Sequence, residues 1–226
     1  MALILNLETA TKVCSVSLAK NGIEIRTKEI STEHFSHSEN LNVFIESLIK
    51  NSDYQLNQID AVAVSEGPGS YTGLRIGVST AKGICYALGK PMIAINSLKA
   101  LANLYFTESD IFICPLFDAM RMEVYASVFD RNLNILFPTS AVIIDEHSFD
   151  TFLEQKQVVF LGPGAIKCQD ILYDKNATFD LTTQVSAKGM ITLAEEKYQA
   201  NDFVDVAYFE PFYLKDFIAG EMKKLI

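Results

Sequence analysis

Short apolar segments at the start of the chain alternate with turn residues in a way that predicts a strand meander. Leu3–Leu7 is an almost continuous apolar run, typical of a strand that is buried on both faces. Apolar and small polar residues alternate over Val13–Ala19, which predicts a second strand. The Asn21-Gly22 pair then predicts a two-residue hairpin turn into a third strand over Ile23–Ile30.

Helical and strand patterns alternate after this meander. From Ser38 to Ile49 apolar residues recur at helical spacing, so we expect the first helix there. The further elements expected in this part are strand Ile59–Val64, helix Gly73–Leu88, strand Met92–Ile95 and a helix from Ser97 to about Tyr105. Three meandering strands followed by two crossovers make a mixed sheet, which is the order of a ribonuclease-H-like half.

Residues 107–226 carry a weaker version of the same pattern. The expected strands are Ile111–Phe117, Glu123–Asp130, Leu133–Phe137, Ala141–Ile144 and Val158–Leu161, and the expected helices are Glu146–Gln155, Ala165–Leu172 and Ser186–Gln199. We therefore predict an α/β, actin-like protein with two mixed-sheet subdomains, residues 1–106 and a degenerate copy in 107–226. No linker rich in Ser, Gly or Pro separates them, so we expect close packing, with the C-terminal tail returning to the first subdomain.

The segment Ser65–Gly77 is the most informative motif, because a strand, a glycine turn and a helix start follow one another there. Such a junction gathers backbone N–H groups and the positive end of a helix dipole, which suits an anion. A P-loop would need a lysine directly after Gly73, and a dinucleotide fingerprint would need one residue fewer between Gly69 and Gly73. A tight turn that only packs and binds nothing stays open as an alternative.

The composition of the chain argues against nucleic-acid binding, membrane insertion and secretion. The chain has 226 residues and a formal net charge of −9, with 19 scattered basic residues, so we expect no autonomous binding to nucleic acid. No apolar run is long enough for a membrane span, and the N-terminus has no signal-peptide pattern. The four cysteines are far apart and in apolar surroundings, which favours a reducing, cytoplasmic location.

Several of these segments together resemble the TsaB family, also called YeaZ. The resemblance is carried by Glu8–Thr11 with Cys14–Val16, by His37–Leu41, by Ser65–Leu101, by Asp118–Tyr125, and by Pro211 with Tyr213–Lys215. It implies an accessory, non-catalytic subunit that pairs with a paralogue, TsaD. The pair would support threonylcarbamoyl transfer to the adenosine beside the anticodon of ANN-decoding tRNAs.

The resemblance also implies the other partners and the absence of a cofactor of the chain's own. We expect the TsaE ATPase as a further partner, tRNA contact only through the complex, and a homodimer when the paralogue is absent. ATP or ADP would bind only in complex with partners, and no membrane is involved.

Candidate site residues follow from this resemblance. The actin-like class places an Asp at the end of the first strand, and here Glu8 stands there, one methylene longer. A vestigial nucleotide site would consist of Glu8, Thr9, Thr11, Gly67, Gly69 and Ser70. The loop Thr9–Thr11 lacks the glycines that let backbone approach a phosphate, so we doubt autonomous ATP hydrolysis.

No metal site of the chain's own is expected. The paralogue's Asn-His-x-x-x-His pattern has Ser97 and Leu101 in place of both ligands here. His34 and His37 are three residues apart, but a zinc site needs a third ligand, so a solvated helix start is the better interpretation.

Two helices carry the predicted partner interface. Gly73, Gly77 and Ala81 form a row of small residues that another helix could approach, although such rows are best attested in membranes. The predicted interface residues are Leu41, Phe44, Ile45, Leu48, Gly73, Leu74, Ile76, Gly77, Thr80, Ala81 and Ile84. On this hypothesis a bulky residue at Gly73 or Gly77 abolishes pairing and leaves the isolated chain folded.

Two other function classes remain open from the sequence. One is an independent enzyme, either an actin-like-fold phosphotransferase with Asp118 as its base or a peptidase in which a distant His147 serves Ser70. The other is a purely self-associating structural protein. Arg121, Glu123 and Tyr125 have no assigned role, beyond a surface ion pair of Arg121 with Glu123 or Asp118.

Overall fold

The computed structural model describes residues 2–32 and 37–215. The first half contains strands β1 (Leu3–Glu8), β2 (Val13–Lys20), β3 (Ile23–Ser31), β4 (Ala61–Gly67) and β5 (Met92–Asn96), with helices α1 (His37–Lys50), α2 (Tyr71–Leu88) and α3 (Ser97–Ala102). The sheet order is β3-β2-β1-β4-β5, with β1–β2 and β2–β3 antiparallel and β1–β4 and β4–β5 parallel. The predicted ribonuclease-H-like half is confirmed.

The second half repeats this topology in full. Its strands are β6 (Phe112–Asp118), β7 (Glu123–Phe129), β8 (Ile135–Ile143), β9 (Val158–Leu161) and β10 (Ala177–Asp180), and its helices are α4 (Asp150–Leu153), α5 (Ala165–Cys168) and α6 (Ile191–Gln199). Read from β8, the order is β8-β7-β6-β9-β10, with the same antiparallel and parallel pairs as in the first sheet. The two halves are therefore copies of one architecture, as in an actin-like fold.

The differences from the predicted elements concentrate in the second half. The predicted strands Leu133–Phe137 and Ala141–Ile144 form one strand, β8, because Pro138 interrupts the pattern without ending the pairing to β7. Strand β10 was not predicted, because Ala177–Asp180 is too short and too polar to give a strand pattern. The crossover helices α4 and α5 span only four residues each, and this shortening is the degeneracy of the second copy.

Each face of the first sheet has its own helical cover. On one face α1 and α2 pack against Leu5, Val16 and Val64 in one hydrophobic cluster. On the other face Ile4, Ala63 and Ile95 form a cluster with buried residues of α6, which returns from the second half. Helix α3 lies between the halves and packs in a third cluster with strands β6 and β9.

Local signals explain the bounds of α2. The Ser70 hydroxyl accepts a hydrogen bond from the backbone N–H of Gly73 at 3.2 Å, which caps the first turn. Gly89 ends the helix in the left-handed conformation, with φ 62°. Asn96 caps α3, because its Oδ1 accepts hydrogen bonds from the N–H groups of Leu98 and Lys99.

Candidate functional site

The acidic residue at the end of β1 is buried inside the protein. Glu8 is fully excluded from solvent, and its Oε1 accepts the backbone N–H of Ala10 at 2.6 Å. Burial raises the pKa of Glu8 to about 7, against the lowering effect of the Ala10 N–H. A carboxyl in this setting is poorly suited to holding a phosphate-bound metal.

The loop that follows Glu8 is occupied by contacts with α1 and α2. The backbone carbonyl of Ala10 accepts the N–H of Ser70 at 2.7 Å. A β-carbon on Gly69 would lie 2.7 Å from the Ala10 side chain, so glycine is needed where the two loops meet. The carbonyl of Thr11 lies 2.8 Å from Nε2 of His37 at the start of α1. The loop thus serves as a packing surface for the two helices.

The glycine turn uses its polar groups internally. The N–H of Gly67 donates to the Ser97 hydroxyl at 3.1 Å, and the carbonyl of Glu66 accepts the N–H of Phe212 at 2.7 Å. Gly67 has φ 115°, and a β-carbon there would lie 2.6 Å from the Phe212 carbonyl oxygen. The Ser70 hydroxyl is used to cap α2. The structure thus brings the predicted nucleotide-site residues together, but they pack against each other and against the C-terminal tail.

The row of small residues on α2 faces this chain's own loop. A β-carbon on Gly73 would overlap the carbonyl oxygen of Thr9, and one on Gly77 would overlap the Thr9 hydroxyl. Ala81 is fully buried. These contacts account for the glycines without a partner, and a bulky residue at either position would clash inside the isolated chain, against the expectation that such a variant stays folded.

The other predicted interface residues divide by burial. Leu41, Phe44, Ile45, Leu48 and Leu74 have buried side chains that build the interior of the first half. Ile76, Thr80 and Ile84 lie half-buried along one line of α2. Their contact with a partner stays a prediction, and only this second group presents surface to make it.

The first histidine of α1 is not solvated as predicted. His37 is buried, its ring lies against Gly73, and burial lowers its pKa despite the contact with the Thr11 carbonyl. His34 lies outside the described residues. No group of three or more potential metal ligands occurs among residues 2–32 and 37–215.

At the equivalent place in the second half, the carboxyl end of β6, a lysine that was not predicted contacts three oxygen acceptors. Nζ of Lys167, on α5, lies 2.6 Å from Oδ1 of Asp118, 2.8 Å from the carbonyl of Arg121 and 2.6 Å from the carbonyl of Glu123. Met120 and Arg121 have positive φ values of 69° and 51°, and the lysine holds this turn in place. No local pattern signals a contact between residues 49 positions apart.

The predicted ion pairs around Arg121 are therefore wrong. Asp118 pairs with Lys167, and Glu123 pairs with Lys215 of the tail. Burial raises the pKa of Tyr125, which packs in the cluster between the halves.

Comparison with known proteins identifies the family. A family model described as "TsaD: tRNA N6-adenosine threonylcarbamoyltransferase" matches residues 31–221. The chain is 27% identical to the tRNA threonylcarbamoyladenosine biosynthesis protein TsaB of Haemophilus influenzae, covering 94% of this chain and 93% of that protein. It is 30% identical to TsaB of Bacillus subtilis over 70% of each chain. The chain belongs to the TsaB (YeaZ) family.

A solved structure supports the fold assignment. The crystal structure of a Pseudomonas aeruginosa protein described as having similarity to the peptidase YeaZ superposes with a TM-score of 0.82 at 23% identity, covering 95% of this chain and all of that one. At this level of identity the match concerns the fold alone.

In this TsaB-family chain, the positions that would carry the transferase's histidine ligands have packing roles. The Ser97 hydroxyl accepts the N–H of Gly67, and Leu101 is fully buried. A β-carbon on Gly162, in the second Gly-Pro-Gly turn, would lie 2.5 Å from Leu101 Cδ2. Within the described part of the chain, no helix is long and apolar enough to cross a membrane.

Proposed function

We propose that this chain takes part in tRNA threonylcarbamoyladenosine biosynthesis as a non-catalytic accessory subunit, paired with a TsaD paralogue that carries out the transfer. The observation that carries the proposal is that the residues at the carboxyl ends of β1 and β4 are buried or packed against other parts of this chain. Glu8 is buried, and the turns around Gly67 and Gly69 pack on the tail and on Ala10. The TsaB names of the relatives and the transferase family model support the same pathway.

The pairing surface is proposed on the outer sides of α1 and α2. Val43 on α1 is 54% exposed, which is unusual for a valine in a helix that otherwise buries its apolar face. On α2 the corresponding residues are Ile76, Thr80 and Ile84, which are half-buried and lie along one side of the helix. Two adjacent helices with partly covered apolar residues suit a helical partner or, without it, a second copy of this chain.

The proposal also covers tRNA, nucleotide and the TsaE ATPase, and the charge of the chain bears on the first of these. The chain is acidic, with a formal net charge of −9, so it would contact tRNA only through the complex. ATP or ADP would bind only where partners complete a site, and the TsaE ATPase would join the assembled pair.

Surface variants on the two helices test the pairing. Val43→Glu or Thr80→Arg should weaken binding of the purified chain to the TsaD paralogue roughly thirtyfold in calorimetry, the size of one interface hot spot. Ile166→Glu is the matched control, because Ile166 is 58% exposed and lies on α5 of the second half. Equal affinities for all variants, each verified as folded, would place the interface elsewhere.

The engagement of candidate catalytic groups argues against an independent enzyme. Asp118, the proposed kinase base, pairs with Lys167. The Ser70 hydroxyl caps α2, whereas Nδ1 of His147 lies 3.1 Å from Asp150. The purified chain alone should therefore neither hydrolyse ATP nor cleave peptides, and a turnover rate above that of buffer would favour the enzyme hypothesis.

A further inference from the structure

The end of the described chain crosses from the first half to the second. Residues Pro211–Lys215, called the latch below, begin against the glycine turn. The N–H of Phe212 donates to the carbonyl of Glu66, and the Phe212 carbonyl leaves no room for a side chain at Gly67. This backbone contact fixes the start of the latch to the carboxyl end of β4.

The middle of the latch is held by an aromatic and cationic stack on α2. The ring of Tyr213 lies 4.8 Å from the ring of Tyr71, centroid to centroid. The guanidinium of Arg75 lies 4.1 Å from the Tyr71 ring centroid, and its Nε donates to the Tyr213 hydroxyl at 3.3 Å. Because one arginine contacts the Tyr71 ring and the Tyr213 hydroxyl, it ties the latch to the first turns of α2.

The far end of the latch reaches the second half. Lys215 forms an ion pair with Glu123, the first residue of β7. Tyr213 also packs against the cluster between the halves, which contains Leu74 of α2 and Phe117 of β6, with Tyr125 of β7 packed against the same cluster. The latch therefore contacts both halves within five residues.

We propose that the latch sets the angle between the two halves and holds them as one body. Two-lobed proteins commonly close or open about a hinge, and a segment bound to both lobes biases that equilibrium. Here the Tyr213 stack anchors the latch to the first half and the Lys215–Glu123 pair anchors it to the second. Releasing either anchor leaves the angle to the buried clusters that the halves share, and it therefore widens the range of angles.

Double electron–electron resonance on the full chain, which measures the distance between two spin labels, tests the role of the latch. Spin labels at Tyr86→Cys on α2 and Ile166→Cys on α5 report the distance between the halves, and the four native cysteines are buried and will not compete. The otherwise unchanged chain should give one narrow distribution. Tyr213→Ala and Lys215→Glu should each broaden it, and Glu123→Lys combined with Lys215→Glu should restore it.

Hydrogen exchange supplies a second readout. In Tyr213→Ala the amides at the start of β7 should exchange about tenfold faster, the effect of losing an aromatic pair and its bond to Arg75. Tyr213→Phe keeps the ring and should lie between, which covers the case in which the alanine variant fails to fold. Tyr208→Ala is the control, because Tyr208 is 85% exposed and lies just before the latch.

Two results would overturn the proposal. One is a distance distribution and an exchange rate that stay unchanged in Tyr213→Ala and Lys215→Glu. The other is a broadened distribution in Lys215→Glu that the double variant with Glu123→Lys fails to reverse. In that case the ion pair between Lys215 and Glu123 would not be what holds the latch to the second half.

Discussion

The Cα of Gly73 on α2 packs directly against the backbone carbonyl oxygen of Thr9, in the loop after β1, so that a methyl group on Gly73 would overlap that oxygen. One helical turn later, Gly77 meets the Thr9 hydroxyl in the same way. The glycines on α2 therefore set how closely the helix approaches the end of β1.

Gly73→Ala should destabilise the isolated chain by roughly 1–3 kcal/mol, because the helix or the loop must shift to admit the β-carbon. The measurement is the free energy of unfolding in urea. Gly83→Ala is the matched control on the same helix, since a β-carbon there meets nothing within 4 Å. That control should stabilise the chain by about 0.5–1 kcal/mol, as alanine does in a helix interior. Similar effects from both substitutions would refute the proposed contact with Thr9.

The pH dependence of stability should report the buried carboxyl of Glu8. Its pKa in the folded chain, about 7, lies above the ordinary value of 4.5, so the folded state favours the protonated form. Its favourable contribution is complete below pH 4.5 and is lost as the pH rises through 7. The Glu8→Gln variant lacks this loss, and above pH 7 it should gain about 3 kcal/mol relative to wild type compared with the difference near pH 4.

The control for this titration is Glu46→Gln. Glu46 is exposed on α1, and its pKa is lowered by its hydrogen bond to Lys50, so its contribution changes only in acid and with the opposite sign. A difference between wild type and Glu8→Gln that is constant from pH 4 to pH 8 would contradict a buried titrating carboxyl.

Removing the ammonium of Lys167 should loosen the turn between β6 and β7. Lys167→Met leaves the Asp118 carboxylate and two turn carbonyls without their shared donor, which should cost roughly 1–3 kcal/mol of unfolding free energy. Lys197→Met is the comparison, because its pair with Asp202 is partly exposed and should be worth about 0–1 kcal/mol. Equal losses would mean that the three contacts of Lys167 add nothing to an ordinary surface pair.

The sequence predicts the elements that strong local signals define. Asn21 and Gly22 both adopt the positive φ values that the hairpin turn needs, and the cap at Ser70 and the stop at Gly89 bound α2. The repeated topology of the second half was only partly predictable, because its short helices and the four-residue strand β10 leave weak periodic patterns.

The site was harder to predict because its decisive contacts are distant in sequence. A row of small residues shows that something approaches α2, but the sequence does not show whether it is Thr9 of the same chain or another protein. The same holds for Lys167 with Asp118 and for Phe212 with Gly67. Residue types predicted a candidate site, and the fold decided which groups were already engaged.

The most direct test of the accessory role is the rate of tRNA threonylcarbamoyladenosine formation in a mixture of the TsaD paralogue, the TsaE ATPase, tRNA, ATP, an activated threonylcarbamoyl donor and this chain, with wild type compared with Glu8→Gln. If the chain contributes no chemistry, the variant that pairs normally should support the wild-type rate. A rate reduced to that of the mixture without this chain, at unchanged pairing affinity, would show that Glu8 takes part in the reaction and would contradict the account.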